Sequence, residues 1–245
     1  MKARGFGVSG LGLLLTVGLV IGALAGVAGA GGDGGGSCFD NNPTKHGKMR
    51  GDVDGDGTQD LVWIAANRHD GRCRYFAKVD LGVDEARKRL YGDRFVFRNF
   101  SHVMAMVEVD RFPGKEFGIV LEQGASTTFA GLFTMRAGEI QRMNVSGPGA
   151  PEDDLFGYGG SVGIQVASDC ARNRPDGQVI NSVALLNNSG SHYKVKRRWF
   201  RATAGELVRT NEETDKRRVR ANRLHEALYE FRNSPFGSCP GRAPG

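Results

Sequence analysis

Between residues 61 and 202 the chain alternates short apolar runs with clusters of Gly, Asn, Asp and Pro. Residues 61–64, 73–81, 94–100, 102–109, 127–136, 139–145, 161–167 and 192–202 are rich in β-branched and aromatic side chains, which predicts strands. Residues 136–139 and 187–190 have the Gly and Asn content of hairpin turns. The C-terminal end breaks the pattern. Over 217–231, Val219, Leu224, Leu228 and Phe231 recur near helical period among Arg and Glu, which predicts a short amphipathic helix.

The N-terminus follows neither period. Lys2 and Arg4 precede a long apolar stretch that ends in Ala28-Gly29-Ala30, and no further charge occurs before Asp33. A basic start, an apolar core and a small-x-small ending predict an export signal cleaved after Ala30. The alternative is an uncleaved anchor, because the stretch is long enough to span a bilayer. A lipoprotein reading of Cys38 is weaker, since that residue lies well beyond the apolar segment. The expected organisation is a signal at 1–30 and a Gly-rich spacer and N-terminal segment at 31–47. A β domain follows at 48–212, then a C-terminal helix and Cys-containing tail at 213–245. The formal net charge of +6 falls once Lys2 and Arg4 are removed, and what remains calls for no nucleic-acid partner. Membrane contact is expected only if the N-terminal segment is retained.

All four cysteines, Cys38, Cys73, Cys170 and Cys239, follow that segment. An even count in an exported chain predicts two disulfides. Three pairings are open; Cys38–Cys239, tying the termini, with Cys73–Cys170 is the preferred one.

The most specific motif is Asp52-Val53-Asp54-Gly55-Asp56-Gly57-Thr58-Gln59-Asp60. Carboxylates at loop positions 1, 3, 5 and 9, with the Thr58 carbonyl at position 7, are the hard oxygen donors that Ca²⁺ takes. Position 12 of an EF-hand would be a Glu, but Trp63 stands there inside an apolar run. The loop is therefore expected to lead into a strand and to hold a structural Ca²⁺. Used as a ruler, it aligns without a gap on Glu108–Val120, where Glu108, Asp110 and Glu116 keep positions 1, 3 and 9. Phe112 replaces the acid at position 5. That second loop is expected to keep the turn and lose the metal. A looser third copy runs from Ser168-Asp169-Cys170 to Asp176-Gly177-Gln178. Repetition at about 50–60 residues points to an array of similar sheets.

The loop at 52–60 resembles the Ca²⁺ loop of FG-GAP/VCBS-type repeats, which form blades of integrin-like β-propellers. Cys73-Arg74-Tyr75, Gly124–Phe129, Gly159-Gly160-Ser161-Val162 and Asp169-Cys170 extend the similarity to small exported bacterial members across most of 48–210. The resemblance implies an all-β fold, a small or partial propeller-like array of about three blade-like repeats. It also implies metal ligands at Asp52, Asp54, Asp56, Thr58 and Asp60, with calcium as the cofactor. The implied function is that of a secreted or envelope-associated binding or scaffolding module without enzymatic activity, whose ligand is a protein or an envelope polymer.

Other motifs have plainer readings. Gly159–Gly163 matches the G-x-S-x-G nucleophile pattern around Ser161, which would suggest a hydrolase on a propeller scaffold with Asp169 or Asp176 and His192 downstream. The pattern needs a helix after the Ser, and a strand is expected there. Arg50-Gly51-Asp52 is an adhesion tripeptide only if Asp52 is free of the metal loop. Glu152-Asp153-Asp154 reads as a solvated acidic loop. The histidines, at 46, 69, 102, 192 and 225, lack zinc-site spacing. Lys194–Arg198 with Trp199-Phe200, and Lys216–Arg220, are basic clusters that could meet anionic wall polymers or lipid head groups, the plainer reading being a charged outer strand and a solvated helix face.

Overall fold

The computed structural model describes residues 38, 47–82, 89–92, 97–110, 112–147, 150–151, 154–171, 178–203, 205–209, 215–232 and 235–241. They fall within one unit, Gly36–Gly245. It is mostly β, as the alternation predicts. A first sheet is a four-stranded antiparallel meander of β1 (Met49–Gly51), β2 (Asp60–His69), β3 (Arg72–Asp80) and β4 (Arg89–Gly92). The chain turns from β2 into β3 at Asp70-Gly71, both with positive φ, as a tight hairpin requires.

A second sheet has eleven strands. In chain order they are β5 (Val103–Val107), β6 (Glu116–Gln123), β7 (Thr127–Arg136), β8 (Glu139–Arg142), β9 (Asn144–Ser146) and β10 (Phe156–Ser161). Then come β11 (Ile164–Cys170), β12 (Gln178–Leu186), β13 (His192–Thr203), β14 (Glu206–Arg209) and β15 (Asp215–Arg220). The spatial order is β5-β6-β7-β10-β11-β12-β13-β14-β9, with β8 on β7 and β15 on β13. Two long strands change partners along their length. β7 pairs with β10 through Thr127–Ala130 and with β8 through Phe133–Arg136. β13 pairs with β15 through His192–Arg197 and with β14 through Phe200–Thr203. Neither sheet closes on itself.

Three apolar clusters fill the unit. One joins Val62, Ile64, Ala77 and Val79 of the first sheet to Met106, Phe117, Ile119 and Phe133 of the second. Phe117 stacks on Phe133 at 5.9 Å within it. A second gathers Phe156, Phe200 and Phe236, with Phe156 edge-on to each of the other two. The third lies beneath the C-terminal segment, where Leu224, Leu228 and Phe231 cover Ala184, Tyr193, Val195 and Val219.

Five expectations need correction. Residues 139–145 are not one strand: β8 ends at Arg142 against β7, and β9 begins at Asn144 against β14. The run at 217–231 is not one helix: β15 continues to Arg220, and α1 (Leu224–Ala227) is a single turn flanked by 3-10 turns at Ala221–Arg223 and Tyr229–Phe231. Val219 is buried between exposed Arg218 and Arg220, the alternation of a strand, and the helical spacing arises because strand and turn deliver their apolar residues to one cluster. Residues 97–100 are not a strand: the Ser101 N–H donates to Arg98 O at 2.9 Å and the Arg98 N–H to Ser101 Oγ at 3.0 Å, closing a turn behind buried Phe97. Residues 94–96 of that run lie outside the described residues. Residues 161–167 are not one strand either, because Val162-Gly163 is the turn between β10 and β11.

The disulfides are Cys38–Cys73 and Cys170–Cys239, with Cα separations of 5.5 and 4.7 Å, so the preferred pairing is overturned. Tyr75 Oη donates to Cys38 O at 2.8 Å beside the first bridge. Residues 235–241 pack on β11: the Ser238 N–H donates to Asp169 Oδ1 at 2.6 Å and the Phe236 N–H to Ser168 O at 2.9 Å. That contact carries Cys239 to Cys170.

Candidate metal centre

The acidic loop joins β1 to β2 and is wound around its own carboxylates. Asp52 accepts the Gly55 N–H on Oδ1 at 2.7 Å and the Gly57 N–H on Oδ2 at 3.0 Å. Asp54 Oδ1 accepts the Asp56 N–H at 3.1 Å, and Asp56 Oδ1 accepts the Thr58 N–H at 2.7 Å. Asp60, the first residue of β2, is fully buried. Its Oδ2 accepts the Val53 N–H at 2.8 Å, while Oδ1 has no hydrogen-bond partner. A buried carboxylate oxygen without a donor or cation is costly.

Carboxylate oxygens of Asp52, Asp54 and Asp60 lie within 4.8 Å of one another. A divalent ion about 2.4 Å from each of its oxygens holds them up to about 4.8 Å apart, so the spacing suits a cation of that size. Among the described residues this is the one such grouping of acids, His or Cys. Asp56 is exposed and stands outside the trio, and Thr58 contributes its N–H to Asp56. In the absence of a cation, burial pushes the Asp60 carboxyl up to about 6, with the charges of Asp54, Asp56 and Asp52 adding to it and the Val53 N–H partly offsetting it.

The second loop, between β5 and β6, has the same frame. Gly51 pairs with Asp60, and Val107 with Glu116, at the same position in each hairpin. The Val109 N–H donates to Glu116 Oε2 at 2.8 Å, the counterpart of Val53 to Asp60. The Phe112 N–H donates to Asp110 Oδ1 at 2.8 Å, the counterpart of Asp56 to Asp54. What fills the frame differs. Arg136, at the end of β7, places Nη2 2.6 Å from Asp110 Oδ2 and its guanidinium 4.7 Å from the centre of the Phe112 ring. Glu108 leaves the loop, its Oε1 3.7 Å from Lys115 Nζ. Burial pushes the Glu116 carboxyl up to about 8, with the Asp110 charge and a hydrogen bond to Asp110 adding to it. A protonated Glu116 is the state this favours.

The two loops also touch. The Lys115 N–H donates to Asp52 O at 2.7 Å, and a Cβ on Gly55 would run into Pro113. Gly55 has φ +81°, so position 4 of the loop needs glycine for both its turn and its packing.

A third hairpin, β11–β12, opens on the pair Cys170 and Val179, again nine residues apart. Val179 stands where Asp60 and Glu116 stand, so this frame has no acid to bond its loop. Asp176 and Gly177 lie outside the described residues.

The remaining candidates are placed as follows. Asp52 has both carboxylate oxygens turned into its loop, which removes the adhesion reading of residues 50–52. Ser161 ends β10 opposite Ile164, across a two-residue turn, and β11 follows instead of a helix. The glycines before it serve that hairpin: a Cβ on Gly160, φ +138°, would strike the Ile164 carbonyl. Asp154 Oδ1 accepts the Val145 N–H at 2.6 Å, and Glu152 and Asp153 lie outside the described residues. The basic run on β13 is divided between faces. Lys194 and Lys196 are exposed, whereas Arg197 is buried with Nε 2.8 Å from Glu230 Oε1, an oxygen that also accepts Ser182 Oγ at 2.9 Å.

Arg136 escaped the sequence reading because it lies far from Asp110 along the chain and only the β6–β7 pairing brings it back. Phe112 was the available signal, since an aromatic in an acidic loop is a surface for a cation to stack on. Comparison with family models, with curated proteins and with solved structures finds no match for this chain.

Proposed function

We propose that the chain is an exported, Ca²⁺-braced binding or scaffolding module without catalytic activity, built from blade-like hairpins of the FG-GAP/VCBS type. The observation that carries this is Asp60 Oδ1: fully buried, without a donor, and grouped with oxygens of Asp52 and Asp54. A hard divalent ion supplies the missing partner and removes the repulsion among three carboxylates. Because the ligands come from one short loop at the start of a strand, the ion's role is to fix the entry into β2. Asp56 and the Thr58 carbonyl complete the ligand set in this reading. Two disulfides fit an oxidising compartment. Among the described residues no helix is long and apolar enough to cross a membrane.

Thermal unfolding in chelator and in Ca²⁺ tests the reading. At roughly 100 times Kd, one site adds about 2.7 kcal/mol, which for a chain of this size raises Tm by roughly 5–10 °C. Asp54→Ala removes most of that gain. A wild-type melt indifferent to Ca²⁺ up to about 10 mM, a hundredfold over a Kd of about 10⁻⁴ M, sinks the proposal. A hydrolase reading needs an activity that Ser161→Ala abolishes, and the hairpin setting of Ser161 gives it no support.

A further inference from the structure

Among the described residues, nothing covers one face of the second sheet. One row of directly paired residues crosses five strands: Ser161 of β10, Ile164 of β11, Leu185 of β12, Lys194 of β13 and Arg218 of β15. All five side chains are exposed, and Ile164 and Leu185 are 41% and 50% accessible. Direct partners on a sheet bring their Cβ atoms within about 5 Å, so the row is continuous. Beyond its apolar end the β10–β11 turn carries Val162, 78% accessible, and beyond its basic end lies exposed Arg220, paired with His192. The opposite face of the same strands is sealed, because Tyr193, Val195 and Val219 lie under Leu224, Leu228 and Phe231.

The composition of the open face is ordered. Its β10–β12 half presents Val162, Ile164 and Leu185, and its β13–β15 half presents Lys194, Arg218 and Arg220. Lys194 directly opposite Arg218 is a like-charge pair that destabilises an isolated sheet. Exposed apolar residues beside such a pair mark an interaction surface. A dissolved polyanion answers only the basic half. A bilayer of anionic lipid answers both: headgroup charges meet the basic side chains while the apolar ones enter the boundary below the headgroups.

We infer that this face docks onto anionic lipid surfaces, with Lys194 and Arg218 on the headgroups and Val162, Ile164 and Leu185 at the acyl boundary. The site is independent of the metal loop. It is also separate from the apolar N-terminal segment.

The test uses the full chain carrying Val162→Trp, so that the added indole reports on this face whatever the N-terminal segment does. Its emission, after subtraction of the wild-type spectrum, is followed on vesicles of phosphatidylcholine alone and of phosphatidylcholine with phosphatidylglycerol. The expected result is a blue shift on the anionic vesicles only. Lys194→Glu with Arg218→Glu in the same background weakens the response at least about tenfold. These residues are exposed, and an unchanged melting temperature confirms that the variant is folded. No shift on anionic vesicles, an equal shift on neutral ones, or indifference to the charge reversal overturns the inference. Binding to dissolved polyphosphate without a shift on vesicles overturns it in favour of a polymer partner.

Discussion

The loops at 52–60 and 108–116 are two solutions to one problem. Each begins from the same register position, each ends on a fully buried acid, and each uses that acid to hold the backbone N–H of its second residue. The second loop then supplies its own positive charge. Arg136 pairs with Asp110 while stacked on Phe112, and burial raises the Glu116 carboxyl to about 8, which favours its protonated form. The first loop has an acid, Asp56, where Phe112 stands, and leaves Asp60 Oδ1 unmet. Glu116 Oε1 is likewise buried without a hydrogen-bond partner, so what separates the two frames is the guanidinium beside the second where the first groups three carboxylates. Phe112 in place of Asp56 is one of the replacements that separate them, and its ring gives the Arg136 guanidinium a platform.

The comparison breaks most visibly at Arg136. Arg136→Ala leaves the Asp110 side chain, wholly buried, with an unpaired charge beside Glu116. Removing one partner of a buried pair costs 3–5 kcal/mol; the guanidinium here is partly exposed, so we expect about 3 kcal/mol. The loss should be the same in Ca²⁺ and in chelator when read by denaturant titration. A loss below about 1 kcal/mol, the scale of an exposed ion pair, would mean that the guanidinium does not stand in for a cation.

This pairing also marks the limit of what the sequence discloses. Local pattern suffices for β7, whose bounds Thr127–Arg136 are those the alternation predicts, and for β13, which runs one residue past its predicted end. It suffices to mark the acidic loop too, because its three grouped carboxylates lie within nine residues of one another in the sequence. It fails where two distant segments meet. Asp110 with Arg136, Cys170 with Cys239 and β15 with β13 all depend on how the sheets lie. None leaves a period or a spacing. A short C-terminal helix is present, but its predicted bounds of 217–231 fail in the same way, since Val219 reaches the cluster of Leu224 and Phe231 from a strand.

Glu116 offers the next effect. Its folded carboxyl sits near 8 against an ordinary 4.5. A raised value means that the folded state holds the proton more tightly than the unfolded chain does. The stabilisation is therefore complete below about pH 4.5 and is lost as pH rises towards 8. Above pH 6 the contribution of Asp60, raised only to about 6, is largely spent. Between pH 6 and 8 the wild type should then lose roughly 1 kcal/mol per pH unit through Glu116. Glu116→Gln keeps a neutral group able to donate to Asp110 and should flatten that slope. Equal slopes in the two proteins would show that Glu116 is ionised in the fold and that the second loop holds no proton.

Asp60→Asn produces the smallest change and the sharpest contrast, because its sign depends on the ion. In chelator the wild-type loop buries a carboxylate that burial and its neighbours disfavour. The amide retains an oxygen for the Val53 N–H and carries no charge, so the variant should be more stable than wild type at pH 7 by on the order of 1 kcal/mol. In saturating Ca²⁺ the order reverses, since the wild type gains the ion and the variant has lost a charged ligand from the trio. Melts of both proteins with and without Ca²⁺ give four values, and crossing lines are the expected result. If the variant is weaker under both conditions, the Asp60 carboxylate is satisfied without a cation. The first loop would then be as self-sufficient as the second.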